Sequence, residues 1–310
     1  MTTSTDPTAA AGDAVLRALC WPPPPDQPHL PDWPVRDSWA GLGGLIERAI
    51  LHKVLCLLAD RLVTTGLDRD LPRAISRFLV GTLRANQYKT SIYRTETARI
   101  MVAVDQAGLT AAALNGIAAE SSLYGGRGAR QFSDLDVLLA PEHITVVRTV
   151  LTDLGYHSSS PVGTTLTRRI NDILVPRITI DLTQSMHHAP GEDGVREILS
   201  RRIWQPLPGH GQPLPVLAAP DALLYCLTRL DRTTLTEADT PQWAICADAL
   251  RLVRACENLP AAHWDPAPLV PAAAAGWARL RRIWPQLPPM PLSAQGAGVT
   301  SVGPVGREPQ

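Results

Sequence analysis

Apolar positions recur at helical spacing in three stretches of the chain. From Ser38 to Gly66, the residues Leu42, Leu45, Ile46, Ala49, Ile50, Val54, Leu58 and Leu62 form one stripe, the pattern of an amphipathic helix. A second helical region is expected from Leu71 to Gln106, with Pro72 suited to a first turn and Gly108 to a stop. The third follows Pro220, with helices predicted over PDALLYCLTRLDR, Trp243 to Cys256 and Leu269 to Trp284. Between the second and third stretches the period shortens. Ala111–Leu114 is a short apolar run ending at Asn115-Gly116, Ile117–Tyr124 reads as a short helix, and Phe132–Leu139 as a mostly buried strand. Pro141-Glu142 opens a helix that Gly155 stops. The segments TTLTRRI and ILVPRITIDLT flank Asn171-Asp172 and predict an antiparallel hairpin, with Pro176 confining it to an edge or a bulge.

These patterns divide the chain into five parts: a Pro-rich arm (1–36), an N-terminal helical region (37–108), a core of strands and helices (109–215), a C-terminal helical region (216–288) and a tail (289–310). The arm, rich in Pro-Pro runs, is expected to form no regular element, with Trp21 and Trp33 able to pin it to the body. The tail has lost its apolar pattern and is expected to be disordered. The predicted fold class is α/β (α+β), a small mixed sheet flanked by N- and C-terminal helical layers.

Composition narrows the function. Lys+Arg and Asp+Glu are 29 each, giving zero net charge, and the pI is about 7.1. That balance argues against a nucleic-acid partner, which needs a basic surplus to neutralise phosphates. Lys53 and Lys89 are the only lysines, and with heavy Ala, Leu and Pro usage this resembles a coding bias toward arginine. The five cysteines, Cys20, Cys56, Cys226, Cys246 and Cys256, include no C-x-x-C pair. A zinc ribbon is thereby excluded, and a reduced, cytoplasmic protein is expected. The N-terminal residues lack the features of a secretory signal, and no apolar run approaches the length of a membrane span, so no membrane partner is expected.

The chemistry concentrates between residues 114 and 182. Asp134 and Asp136 stand two apart in a strand, so alternation puts both carboxylates on one face. Like charges that close repel unless a cation lies between them, and hard divalent cations take carboxylate oxygens. Asp181 repeats the pattern in Ile180-Asp181-Leu182; if its strand lies beside the first, three carboxylates converge in the manner of a two-metal phosphoryl-transfer site. Upstream, Gly116 permits close backbone approach to a phosphate.

The order of strand, Gly turn, helix, D-x-D strand and later h-D-h strand (h, a hydrophobic residue) resembles the nucleotidyltransferase superfamily related to DNA polymerase β. Asn115-Gly116, Tyr124, Arg130, Ser133 and Asp134-x-Asp136 resemble more narrowly a bacterial nucleotidyltransferase group, and PVLAAPDALLYCL with Trp243 and Asp248 resembles its helical C-terminal region. The resemblance implies a sheet of nucleotidyltransferase type and transfer of a nucleoside monophosphate from an NTP, ATP by default, to a small-molecule or peptide/protein acceptor. It implies Asp134, Asp136 and Asp181 as catalytic residues and ligands of Mg²⁺ (or Mn²⁺), and Asn115, Gly116, Arg130 and Ser133 as nucleotide-binding residues. Three positions depart from the pattern. Ile117 stands where the wider superfamily has Ser, Asn115 where the narrower group has Lys, and Thr183 where that group often has His. The first two weaken the expected grip on triphosphate. The second function class is therefore a catalytically degraded fold serving as a binding or partner module in a biosynthetic pathway.

Simpler readings stand beside these. Asp134 and Asp136 could cap a turn, Asp181 could be a solvent-face acid, Gly116 a plain helix-start glycine and Arg130 a solvated arginine or an ion-pair partner of Asp134. Gly125–Gly128 lacks the G-K-[ST] ending of a phosphate loop and is expected to be a flexible loop. Ser133 has no neighbouring His to act as base, and its hydroxyl is expected to bond backbone. His187-His188 is expected in a surface loop, because neighbours in extended chain point opposite ways.

Overall fold

The computed structural model describes residues 7–22, 39–158, 160, 163–186, 188, 191–207, 212–232, 242–257 and 271–287. The strands are β1 (Ala111–Leu114), β2 (Leu135–Leu139), β3 (Thr165–Arg169), β4 (Arg177–Thr183), β5 (Ile203–Gln205) and β6 (Leu214–Val216). They form one mixed sheet in the order β3-β4-β2-β1-β6-β5. The β2–β4 and β1–β6 pairs are parallel, and the others antiparallel. The helices are α1 (Pro7–Cys20), α2 (Trp39–Leu51), α3 (Leu55–Thr65), α4 (Arg73–Gln106), α5 (Asn115–Ser122), α6 (Ile144–Asp153), α7 (Gly191–Ser200), α8 (Ala219–Arg232), α9 (Trp243–Glu257) and α10 (Pro271–Ile283).

Three apolar clusters follow from the alternation of the strands and the stripes of the helices. Ala111, Ala113, Leu135, Val137, Ile178 and Ile180 share one cluster with residues of α4 and α6. Ala112, Leu114, Leu138 and Ala140 share another with Val195, Ile198 and Leu199 of α7. The third cluster is helical, and it joins residues of α1, α2 and α3 to residues of α8, α9 and α10. Helices α1, α2 and α3 thus share a core with α8, α9 and α10, while α4 packs on the sheet.

The α/β class agrees with the sequence pattern, as does the β3–β4 hairpin. Pro176 lies before β4, and its carbonyl accepts from Ile170 N at 3.0 Å. The strand thus escapes the ladder bond that a proline cannot donate. Asp172 shapes the turn as an Asx motif, its Oδ1 accepting from Leu174 N and Val175 N at 2.8 Å each.

Two expectations are corrected. The first 36 residues are not without regular structure, because Pro7–Cys20 is helical. Pro7 begins the helix, where its missing N–H costs nothing, and no further proline interrupts until Pro22. Val15, Leu16, Leu19 and Cys20 are buried in the helical core, and Arg48 Nε donates to Asp13 at 2.9 Å. The extended arm expected over 23–36, Trp33 included, and the disordered tail over 289–310 lie outside the described residues. The single helix expected from Ser38 to Gly66 is two. Lys53 takes a left-handed φ of 57°, Lys53 N donates to Ile50 O at 3.0 Å, and Val54 N to Ala49 O at 2.9 Å. This Schellman closure ends α2, while the apolar stripe resumes in phase on α3.

Candidate active site

The register of the sheet brings the acids together. Asp136 of β2 lies directly beside Asp181 of β4, with Leu114 of β1 on its other side. Asp134 precedes β2 and lines a cavity of about 300 Å³ with Asp136, Asn115, Gly116 and Ser133. Asp181 does not line this cavity; it accepts from Thr165 Oγ1 on the neighbouring strand. Burial pushes the Asp136 carboxyl up to about 6; Asp134 and Asp181 add to the rise, against the hydrogen bond from Asn115 and the charge of Arg229. Among the described residues, no three His, Cys, Asp or Glu side chains are gathered closely enough to hold a metal ion as they stand. The donor chemistry nevertheless fits a hard cation, since the ligands offered are carboxylates whose mutual repulsion is only partly offset.

Asn115 is spent within the site. It begins α5 with a left-handed φ of 50°, and its Nδ2 donates to Asp136 Oδ2 at 2.8 Å. Its Oδ1 accepts from Arg229 Nη1 of α8. The side chain therefore links the sheet acid to a C-terminal helix. Gly116 is required for a reason sequence reasoning missed, because a Cβ there would lie 2.3 Å from Phe132 Cβ.

Arg130 also has a different partner. Its Nε donates to both oxygens of Asp248 at 3.0 and 2.9 Å, and Nη2 lies 2.9 Å from Oδ2. Tyr124 Oη donates to the same carboxylate at 2.8 Å. The guanidinium lines the acid cavity, but its charge is matched by α9 and not by Asp134. Gly125–Gly128 is likewise held in place. The fully buried Glu120 accepts from the amides of Gly128 and Arg130 at 2.6 and 2.7 Å. Burial raises its carboxyl to about 7, against those two amide bonds. Asn86 Nδ2, Lys89 Nζ and Tyr93 Oη of α4 donate to the carbonyls of Gly128, Phe132 and Ser133 at 2.7, 2.6 and 2.8 Å. The segment that presents Asp134 is thus braced by one long helix. The exposed Ser133 side chain lines the cavity. Buried His188 shows that its half of the histidine pair is not on the surface, whereas His187 lies outside the described residues.

Residues 41–257 match the family described as uncharacterised nucleotidyltransferase. The chain belongs to that family. No curated protein matches its sequence. Among solved structures, this nucleotidyltransferase-family chain is similar to an antigenic nucleotidyltransferase-like protein from Paracoccidioides brasiliensis, at 14% identity and a TM-score of 0.46, covering 62% of this chain and 88% of that one. It is also similar to the antibiotic-resistance factor ANT(2'')-Ia, at 14% identity and a TM-score of 0.36, covering 66% and 94%.

Two cationic residues of the cavity escaped the family-based reading. Arg229 comes from α8 and Lys53 from the α2–α3 turn. Their signals were faint: Arg229 lies one helical turn after Tyr225, and lysine is rare in this chain. A second, mainly apolar cavity of about 230 Å³ shares Asn115 and Arg229 with the first and extends past Ala118, Leu217, Tyr225 and Leu252. It lies where the sheet meets the C-terminal helices. No helix among the described residues is long and apolar enough to cross a membrane.

Proposed function

We propose that this chain transfers a nucleoside monophosphate from an NTP to a hydroxyl of a small-molecule or peptide/protein acceptor, with pyrophosphate leaving. The observation that carries the reading is the register of Asp136 beside Asp181, with Asp134 and Asp136 opening on one cavity that Lys53 and Arg229 also line. Asp134 and Asp136 would hold Mg²⁺ (or Mn²⁺), with Asp181 as the third carboxylate. Such an ion supplies charge neutralisation on the triphosphate and a lowered pKa for the attacking hydroxyl. Asn115 keeps Asp136 oriented, and Arg229 is held at the cavity wall by Asn115. The apolar cavity beside Tyr225 offers a slot for the base, ATP being the first nucleotide to test. Gly116 shapes the turn by letting Phe132 approach, and exposed Ser133 offers a hydroxyl to a phosphate. The five buried cysteines support a reducing, cytoplasmic setting.

A second reading is a degraded fold that binds a biosynthetic partner, favoured by one observation. Asn115 is committed to Asp136 and Arg229 rather than to a ligand. Incubating the purified chain with α-labelled NTPs and Mg²⁺, with and without cell extract, separates the two. Transfer of label to an acceptor, lost in Asp134→Asn, is the expected result. No transfer and no NTP binding under any condition favours the partner module.

A further inference from the structure

Of the 29 Lys and Arg residues only two are lysines; Lys53 lines the acid cavity, and Lys89 bonds the segment beside it. Lys89 is used for structure: its Nζ donates to Phe132 O at 2.6 Å and lies over the Tyr93 ring. Lys53 is placed otherwise. It is exposed, it lines the same cavity as Asp134, Asp136 and Arg229, and it forms no hydrogen bond or ion pair through its side chain with another described residue.

Its backbone is equally particular. Lys53 occupies the left-handed position of the closure that ends α2, a position where glycine is the residue free of steric cost. Among the described residues the only other non-glycine with positive φ is Asn115, which lines the same cavity. Strained backbone of this kind clusters at ligand sites, where the side chain it presents has a use. A glycine at 53 would fold at lower cost; what lysine adds is an ammonium at the cavity. The turn that carries it is anchored to the segment leading to the acids, since Cys56 N donates to Gln131 Oε1 at 3.2 Å.

We infer that Lys53 binds the phosphate tail of the nucleotide, supplying from the α2–α3 turn the positive charge that the neutral, fully engaged Asn115 does not bring. The inference rests on the transferase reading and adds to it a phosphate ligand from outside the sheet and its Gly turn. A flexible ammonium suits this use, because it meets a phosphate as a point charge and needs no fixed fork geometry.

The test pairs affinity with stability on the full chain. ATP, CTP, GTP and UTP are titrated calorimetrically in Mg²⁺ into wild type, Lys53→Gly, Lys53→Arg and Lys53→Glu, with adenosine as the phosphate-free control, and each protein is melted without nucleotide. Lys53→Gly should raise the melting temperature yet weaken NTP binding about tenfold or more, on the scale of one lost charge-assisted bond. Lys53→Arg should recover most of the affinity, Lys53→Glu should abolish binding, and adenosine should bind all four proteins alike. Lys53→Gly binding NTP as tightly as wild type overturns the assignment while leaving the transferase reading in place. Wild type that binds no NTP overturns both.

Discussion

Two charged clusters flank the loop from Tyr124 to Asp136, and they are built on opposite principles. In the first, Asp248 is 6% exposed and Arg130 is 8% exposed. The carboxylate accepts from the guanidinium and from Tyr124 Oη, and the Arg251 guanidinium lies over the Tyr124 ring with its carbon 4.4 Å from the centroid. Charge is matched and both carboxylate oxygens are bonded. In the second, Asp136 lies beside Asp181 on the next strand and shares a cavity with Asp134, with one amide donating to Asp136 and one hydroxyl to Asp181. A matched buried pair ties elements together, whereas acids that are only partly compensated leave charge for a ligand to meet. The first cluster holds α9 to the loop; the second is where the proposed Mg²⁺ would sit.

The largest effect should come from breaking the matched cluster. Arg130→Ala leaves Asp248 buried without its guanidinium and should cost about 3–5 kcal/mol in unfolding free energy, read from urea or thermal denaturation. A loss below about 1 kcal/mol would show that the pair is not part of the framework.

The unmatched cluster should answer with the opposite sign. The Asp136 carboxyl titrates near 6 in the fold against an ordinary 3.8. Its contribution is therefore fully present below pH 3.8 and is lost as pH rises through about 6, since the unfolded chain gives up that proton first. Asp136→Asn removes the charge that burial penalises. The metal-free variant should be more stable than wild type by about 1–3 kcal/mol at pH 8, with the difference shrinking toward pH 4. Melting curves at both pH values check this. For the same reason, Mn²⁺ binding by wild type should strengthen from pH 5 to pH 7, as the proton that competes for Asp136 leaves.

The smallest change sharpens the first cluster alone. Tyr124→Phe removes one of the hydrogen bonds to Asp248 and leaves the ion pair, so it should cost about 1–2 kcal/mol, the scale for one bond to a charged group. Chemical denaturation of the variant measures it, and metal or nucleotide binding should not move.

What the sequence disclosed was whatever repeats locally. The stripes on α4 and α9 and the alternation of β4 are short-range patterns, and each lies where its period placed it; Asp134, expected in the strand with Asp136, stands just before it, since β2 begins at Leu135. The broken helix at Lys53 was hidden because the stripe continues across the turn. α1 was hidden by the prolines that follow it. The roles of Arg130 and Asn115 depend on partners 118 and 114 residues away, Asp248 and Arg229. Pairings of that range leave no period in the chain, so a family pattern could point to these residues without saying what holds them.

The placement of α1 bears on how the protein is made. Cys20 Sγ donates to Trp243 O, 223 residues further along, and Arg251 Nη1 donates to Cys20 O at 3.0 Å. Helix α1 therefore docks on a helix made more than 200 residues later. Contacts of such sequence separation are slow to form, because the loop between them must close before they reward the chain. The helical body can close only after synthesis has passed α9, and until then only α2 and α3 are there to pack against α1. A nascent chain stalled before α9 should leave the α9-facing side of α1 uncovered and be a preferred client of chaperones that hold apolar segments.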